Sequence, residues 1–271
     1  RTFFVDNTEI KILIALLLVG AAAAAAWIFW GRTEPQPAVP VPVEQAPAEI
    51  VEPTEPLHPV EPLEVTPGEG ELVELPPLEE SDSYFALALT DIFGPELETL
   101  LADEALIDKT VATVDNLTRS RIAEKVRPLG RLSGSFIVTA AGDNGPIYLS
   151  PENYDRYKPL VDMVTDADLD EVVATYRRFY PLFQEAFAQL GYPDGYFNDR
   201  VVAVIDHLLS TPQPEEPIRL LQPHVLYEFA DPQLEALSSG QKLLLRMGPD
   251  HAASIRTVLE DFRARIAQPP P

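Results

Sequence analysis

The stretch that decides the fold class is Leu169-Asp-Glu-Val-Val-Ala-Thr-Tyr-Arg-Arg-Phe-Tyr-Pro-Leu-Phe-Gln-Glu-Ala-Phe-Ala-Gln-Leu190. It is the longest clear amphipathic run in the chain, which predicts a long helix with one buried face. Asp168 precedes the run and Gly191 closes it, and both are typical residues for the ends of a helix. Pro181 falls inside the run and predicts a kink or a division. The run therefore predicts a long amphipathic helix within the domain.

Capping residues and Gly-Pro breaks on both sides of this run predict more helices. Residues 135–140 and Ile147–Leu149, joined by a turn at residues 142–145, predict a small β-hairpin. Residues 218–229 are ambiguous between extended and irregular structure. The predicted helices cover residues 81–94, a short stretch from residue 95, and residues 104–126, 150–164, 197–209, 231–248 and 250–266. The sequence thus predicts a mainly α domain with a small β-hairpin at residues 81–267.

Before this domain lies an acidic, proline-rich stretch, predicted to be a linker over residues 31–80. Residues 34–80 contain twelve prolines and twelve acidic residues, and no lysine or arginine. Prolines recur at every third residue from Pro53 to Pro62, the period of a polyproline II helix. Such a composition is typical of a semi-rigid spacer. A docking ligand for an SH3-like partner, through a Pro-x-x-Pro motif, is the alternative.

Residues 12–30 form an uncharged apolar stretch that ends in Trp27-Ile-Phe-Trp30. Nineteen residues make a helix of about 28 Å, close to the thickness of a bilayer's hydrocarbon core. The aromatic end is placed where a membrane helix meets the headgroups. We predict a single transmembrane helix, with residues 1–11 as its flank. A cleaved signal peptide and a buried core helix are the alternatives.

The orientation of the predicted span follows from the lysines and arginines beside it. Arg1 and Lys11 precede the span, and only Arg32 follows it before Lys109. Positive charge is retained in the cytoplasm, so we expect a cytoplasmic N-terminus and a periplasmic C-terminal domain in the inner membrane of a bacterium.

Charge and cysteine content exclude several classes of function. The formal net charge is −23, and such an acidic surface repels nucleic acids and anionic lipid headgroups. The chain has no cysteine, which excludes disulfides, thiolate catalysis and cysteine-ligated metals. No HExxH, GxSxG, Walker A or GxGxxG motif is present, and the four histidines have no metal-ligand spacing. We therefore predict no catalytic residue, no metal site and no cofactor.

The turn Gly191-Tyr-Pro-Asp-Gly-Tyr-Phe-Asn-Asp-Arg200 least resembles ordinary packing. Aromatic residues between glycines and charges, leading into a helix, are typical of a recognition surface. The alternative is that the tyrosines cover the edge of the core while the aspartates face water. The candidate binding residues are Tyr192, Tyr196, Phe197, Asp199, Arg200 and Asp206.

Several runs resemble a bacterial membrane-anchored family known as domain-of-unknown-function family 3014, over about residues 72–266. They include residues 191–200 and 204–209, together with Ala230-Asp-Pro232, Leu75-Pro-Pro-Leu-Glu-Glu-Ser-Asp82, Val114-Asp-Asn-Leu117 and Ser239-Gly-Gln-Lys-Leu-Leu-Leu-Arg-Met-Gly-Pro249. The resemblance implies an N-terminal span, a proline-rich spacer and this domain. It implies no established activity, cofactor or catalytic residue.

Two classes of function remain open from the sequence. The first is a membrane-anchored adaptor or scaffold, which contacts inner-membrane lipid through its span and holds an envelope protein with its domain. The second is a hydrolase-like envelope enzyme that uses Asp206 and His207 as acid–base groups, although adjacent helix residues point about 100° apart. The predicted parts are a flank (1–11), a span (12–30), a linker (31–80), the domain (81–267) and a tail (268–271).

Overall fold

The computed structural model describes residues 55–60, 75–130, 135–142, 145–224 and 226–267. The predicted span, most of the predicted linker and the tail lie outside the described residues. Within the described part of the chain, no helix is both long enough and apolar enough to cross a membrane. These residues confirm a mainly helical globular domain that carries a small antiparallel sheet.

Local sequence signals explain where most helices begin and end. The Asp168 carboxylate accepts the backbone N–H groups of Asp170 and Glu171. Gly94 ends the first helix at a φ of 96°, a backbone conformation that favours glycine. The helices are α1 (Asp82–Phe93), α2 (Leu106–Asn116), α3 (Lys158–Asp166), α4 (Leu169–Gln189), α5 (Phe197–Leu209), α6 (Pro232–Glu235), α7 (Ser239–Arg246) and α8 (Pro249–Ile266). Short 3-10 helices lie at Leu78–Glu80, Pro95–Thr99, Glu124–Val126 and Pro151–Arg156.

The predicted long helix is confirmed as α4, which contacts α1, α2, α5 and α8. Its aromatic side chains pack in offset and edge-on arrangements, with Phe179 5.1 Å from Phe85 and Tyr176 5.6 Å from Phe262 between ring centroids. Burial of each such ring stabilises the fold by about 1.5–3 kcal/mol. Leu78, inside the predicted linker, is also buried in this core.

Helix α4 continues through Pro181, so the helix is not divided there. Proline leaves the carbonyl four residues earlier without its helical donor. Pro181 lies on the exposed face, where water can bind that carbonyl. The buried residues on either side, such as Phe179 and Leu182, keep the helix packed as one element.

The prediction of one helix over residues 104–126 is wrong in its second half. Helix α2 ends at Asn116, and the carbonyls of Leu117 and Arg119 accept the backbone N–H groups of Gly240 and Ser239, at 3.1 and 2.8 Å. A longer helix would use those carbonyls in its own hydrogen-bond ladder. The backbone N–H groups at the start of α7 bind those carbonyls instead, so a tertiary contact replaces the helical hydrogen bonds.

The predicted hairpin is confirmed as β1 (Val138–Ala140) and β2 (Ile147–Leu149), with Val138 opposite Leu149. The ambiguous stretch adds β3 (Arg219–Leu221) and β4 (Glu228–Phe229), so the sheet has four antiparallel strands in chain order. A second apolar cluster supports the sheet. It contains Leu149, Ile218, Leu220, Phe229, Leu234 and Leu245.

Candidate functional site at the start of helix α5

The turn before α5 is held by the side chain of Gln184 on α4. Its Nε2 donates to the Gly195 carbonyl at 2.8 Å, and its Oε1 accepts the Phe197 backbone N–H at 2.8 Å. The Tyr180 hydroxyl donates to the same Oε1 at 3.2 Å. Tyr196, the residue before α5, supplies no side-chain cap. The Gln184 amide takes that role and sets where α5 begins.

Arg200 binds a buried carboxylate on α2. Its Nε donates to Asp115 Oδ1 at 2.9 Å, and its Nη2 donates to the Asp115 carbonyl and to Thr118 Oγ1 at 2.6 and 2.8 Å. The Asp115 side chain is only 3% exposed and also pairs with Arg119 at 2.8 Å. A buried carboxylate is tolerated when it is paired and hydrogen-bonded. Arg200 is therefore part of the ionic network that joins α5 to α2.

Asp199 binds the backbone of residues 55–60, a part of the predicted linker that we name the docked segment. Its Oδ2 accepts the Leu57 N–H at 3.0 Å, and its Oδ1 accepts the His58 N–H at 2.8 Å. The chain bends at Leu57 and His58, so two successive N–H groups point at one carboxylate. Asp199 lies in the first turn of α5, where the helix dipole stabilises a negative charge.

Asn198 completes this contact from inside the domain. Its Nδ2 donates to the carbonyls of His58 and Ile266 at 2.8 and 2.9 Å, and its Oδ1 accepts the Tyr176 hydroxyl at 2.9 Å. Burial, and then the neighbouring Tyr180 and Asp199, raise the pKa of Tyr176 well above its usual value, so its hydroxyl stays neutral and donates. One N–H of the Asn198 amide thus serves the domain and the other serves the docked segment. We name these two residues the Asn198–Asp199 site.

The aromatic residues of the predicted recognition surface differ in exposure. Phe197 is buried and packs 5.7 and 5.6 Å from Phe183 and Phe187. Tyr192 is 38% exposed and stacks on Phe187 at 4.6 Å between ring centroids. Tyr196 is half-buried. Tyr192 and Tyr196 can therefore present surface to a partner, while Phe197 contributes to the core.

Asp206 and His207 bind different partners. The Asp206 carboxylate forms two hydrogen bonds with the guanidinium of Arg263 on α8, the longer at 2.9 Å. The His207 Nε2 lies 2.9 Å from Ser238 Oγ at the start of α7. Burial, and then the positive charge of Arg200, lower the pKa of His207. Neither side chain orients the other as an acid–base pair requires.

Among the described residues, no three His, Asp or Glu side chains come together as a metal-ligand set. A cavity of about 240 Å³ lies between α3, α4 and α8, lined by aliphatic side chains such as Val164, Val172 and Leu259. None of the predicted site residues lines this cavity.

Sequence reasoning missed Asp115, Asn198 and the docked segment as functional neighbours of the predicted turn. A signal existed for Asp115, because it is a charged residue between the apolar Val114 and Leu117. Asn198 had no such signal, because its role depends on four separate elements meeting. The docked segment lies about 140 residues away in sequence, which no local pattern can connect.

A match to a known protein family covers most of the domain. The family described as "Protein of unknown function (DUF3014)" matches residues 106–263, more than half of the chain. This chain belongs to the DUF3014 family. No curated protein and no solved structure matches it. The DUF3014 match includes the Asn198–Asp199 site but not the docked segment, which precedes it in the chain.

Three of the runs that resemble the DUF3014 family contact one another in the fold. The run at residues 114–117 carries Asp115, which accepts from Arg200 in the run at residues 191–200. The run at residues 239–249 contains Gly240, where a Cβ atom would lie 2.6 Å from Leu208 Cδ2 and 3.0 Å from the Leu117 carbonyl oxygen. A glycine is needed there because α7 approaches the end of α2 closely. These runs therefore join α2 to α5 and to α7.

Proposed function

We propose that this chain is a membrane-anchored protein of the bacterial envelope, in which a DUF3014 domain binds a protein partner as a tethered adaptor or scaffold. Residues 12–30 span the inner membrane with a cytoplasmic N-terminus, and the acidic proline-rich linker carries the domain into the periplasm. The apolar stretch and the lysines and arginines beside it support this arrangement.

The observation that carries the adaptor role is the Asn198–Asp199 site. A carboxylate and an amide of the domain bind the backbone N–H and carbonyl groups of a proline-flanked segment from far away in the chain. Capture of a peptide's backbone by fixed polar groups is a common mode of peptide recognition. A domain that holds such a segment of its own chain has the chemistry to hold one from another protein.

The surroundings of this site favour a protein partner. Tyr196, two residues before Asn198, offers partly exposed aromatic surface, a residue type typical of interface cores. From residue 81 onward the chain has a net charge of −12, with 29 acidic and 17 basic residues. A neutral or basic partner would associate faster with this surface than an acidic one.

The alternative function, a hydrolase-like envelope enzyme, assigns acid–base roles to Asp206 and His207. Their separate partners, Arg263 and Ser238, hold the two side chains in different contacts. No described contact favours this alternative, and the adaptor is the function that the geometry supports best.

Photo-crosslinking in intact membranes tests the adaptor role. A photoreactive amino acid at Tyr196 should crosslink to an envelope protein that mass spectrometry can identify. Asp199→Ala should abolish that product, whereas Asp170→Ala, which alters an exposed carboxylate on α4, should leave it unchanged. Absence of any product, or a product insensitive to Asp199→Ala, would contradict the proposal.

A fusion experiment tests the proposed topology separately. A reporter that is active only after export, fused after Pro271, should be active, and a cytoplasmic reporter at that position should be silent. The reverse result would place the domain in the cytoplasm.

A further inference from the structure

The docked segment contains the central one of three overlapping Pro-x-x-Pro motifs in the linker. Prolines at positions 53, 56, 59 and 62 enclose Thr54-Glu55, Leu57-His58 and Val60-Glu61. The Asn198–Asp199 site binds the central motif, the only one of the three without an acidic residue between its prolines. The site therefore binds one of the three possible alignments of this three-residue repeat.

Electrostatics explains why this register is preferred. A shift of three residues in either direction would place Glu55 or Glu61 at the position of His58, whose backbone N–H lies 2.8 Å from Asp199 Oδ1. Like charges at close range repel each other, and the strongly acidic domain adds to this repulsion. Neither Leu57 nor His58 carries an acidic side chain. The site thus selects a Pro-x-x-Pro segment whose central residues are not acidic.

Three hydrogen bonds at this site use backbone groups of the segment, so another peptide can form them. Both carboxylate oxygens of Asp199 accept backbone N–H groups, and one N–H of the Asn198 amide donates to the His58 carbonyl. Asn198 is fully buried when the segment is bound. Buried polar groups require partners, so departure of the segment leaves groups that water or a second peptide must satisfy.

From these observations we infer that the Asn198–Asp199 site is a docking site for a non-acidic Pro-x-x-Pro segment of a partner protein, and that residues 56–59 occupy it in cis as an internal competitor. This inference rests on the proposed adaptor function and names its partner class and its regulation. Because segment and domain share one chain, the segment competes at an effective concentration on the order of millimolar. A partner segment must therefore bind tightly enough to displace residues 56–59 at that effective concentration.

Substitution by proline can remove the competitor while leaving the site intact. Proline has no backbone N–H, so Leu57→Pro with His58→Pro deletes both donors to Asp199. Leu57→Ala with His58→Ala is the matched control, since alanine keeps both N–H groups. The probe is a fluorescein-labelled synthetic peptide of residues 53–62, and its binding to the full chain is measured by fluorescence anisotropy.

We expect the proline pair to bind the peptide at least ten-fold more tightly than the wild-type chain or the alanine pair. Adding Asp199→Ala to the proline pair should abolish binding. A peptide with glutamate in place of His58 should bind at least ten-fold more weakly than the parent peptide. Unchanged melting temperatures would show that the variants remain folded.

Equal, or no, peptide binding by the proline and alanine pairs would overturn the inference. A concentration-dependent dimer of the wild-type chain that the peptide dissociates would assign the site to a second copy and also overturn it. Photo-crosslinking at Tyr196 is independent of the peptide. A crosslinked partner that requires Asp199, without any effect of the proline pair, would leave the adaptor role supported and refute only the competition.

Discussion

Asp199 and Arg200 are neighbours on one turn of α5, yet they hold different kinds of structure together. Arg200 binds the carboxylate of Asp115 inside the domain, whereas Asp199 binds backbone N–H groups of the docked segment. Successive helix residues point about 100° apart, so one faces α2 and the other faces the segment. Two adjacent charges in a single motif therefore support folding and docking separately.

The two contacts differ in burial and in what their loss would expose. Loss of Asp115 leaves Arg200 and Arg119 without the buried carboxylate that accepts their hydrogen bonds. Loss of Asp199 releases a segment that water can solvate, because Leu57 is 68% exposed even when docked. The first contact should decide whether the domain folds, and the second what the domain binds.

The largest expected effect comes from breaking the buried network. Asp115→Ala should lower the free energy of unfolding by about 2–4 kcal/mol, because Arg200 and Arg119 lose the carboxylate that accepts their charge-assisted hydrogen bonds, each worth about 1.5–3 kcal/mol. Chemical denaturation of the purified chain measures this loss. The control is Asp170→Ala, which breaks the exposed pair with Arg265 and should cost about 1 kcal/mol or less. A loss below about 1 kcal/mol for Asp115→Ala would show that the network does not hold the domain together.

An intermediate effect is expected for Asn198, which binds both the docked segment and buried groups of the domain. Asn198→Ala should lower the free energy of unfolding by about 1–3 kcal/mol, because the Ile266 carbonyl and the buried Tyr176 hydroxyl lose their partner. Denaturation is again the measurement, with the exposed amide variant Gln189→Ala as the control, expected to change stability by about 0.5 kcal/mol or less. Equal effects of the two variants would show that Asn198 does not stabilise the fold.

A smaller effect on stability, but a clear effect on docking, is expected for Asp199. Asp199→Ala should change the free energy of unfolding by about 1 kcal/mol or less. It should nevertheless speed hydrogen exchange of the Leu57 and His58 amides, because their acceptor is gone. Mass spectrometry of a peptide covering residues 55–60 follows this exchange. Asp206→Ala, which affects only the pair with Arg263, should leave it unchanged. If exchange stayed slow in Asp199→Ala, other contacts would hold the segment.

The smallest effect is a pH dependence at the far side of α5. The folded-state pKa of His207 is lowered, mainly by burial, so the folded chain binds this proton less readily than the unfolded chain. The neutral imidazole's contribution to stability is complete above the unfolded pKa of about 6.5. It is lost as the pH falls from about 6.5 toward the folded pKa. Melting temperatures between pH 7.5 and pH 5.5 should therefore fall more for the wild type than for His207→Gln. Parallel curves would contradict this assignment.

The fold was predictable wherever its signals are local. Gly94-Pro95 and Gly248-Pro249 mark real helix boundaries, and α5 covers the predicted residues 197–209. The prediction was wrong at residues 117–126, because the carbonyls of Leu117 and Arg119 bind the start of α7. Strands β3 and β4 were ambiguous because each is short and depends on pairing with another strand.

The stretch that holds the candidate site was predictable, but the partners of its individual residues were not. The recognition role of Tyr192, Tyr196, Phe197, Asp199, Arg200 and Asp206 stays a prediction. What the structure adds is their separate environments: Phe197 lies in the core, Arg200 on Asp115 and Asp206 on Arg263. The partners Asp115 and Arg263 lie on α2 and α8. Spacing along the sequence does not predict which distant elements come into contact.

The sequence by itself determined a mainly helical domain built on the amphipathic run at residues 169–190, and its DUF3014 membership. The helical domain follows from periodicity and capping, which act within a few residues. The family membership follows from matching runs of sequence. Only the tertiary structure decided that Asp199 binds Leu57 and His58 while Arg200 binds Asp115. The physical reason is that a charge has many potential partners along a chain, and packing of the apolar core selects which of them comes within hydrogen-bonding distance.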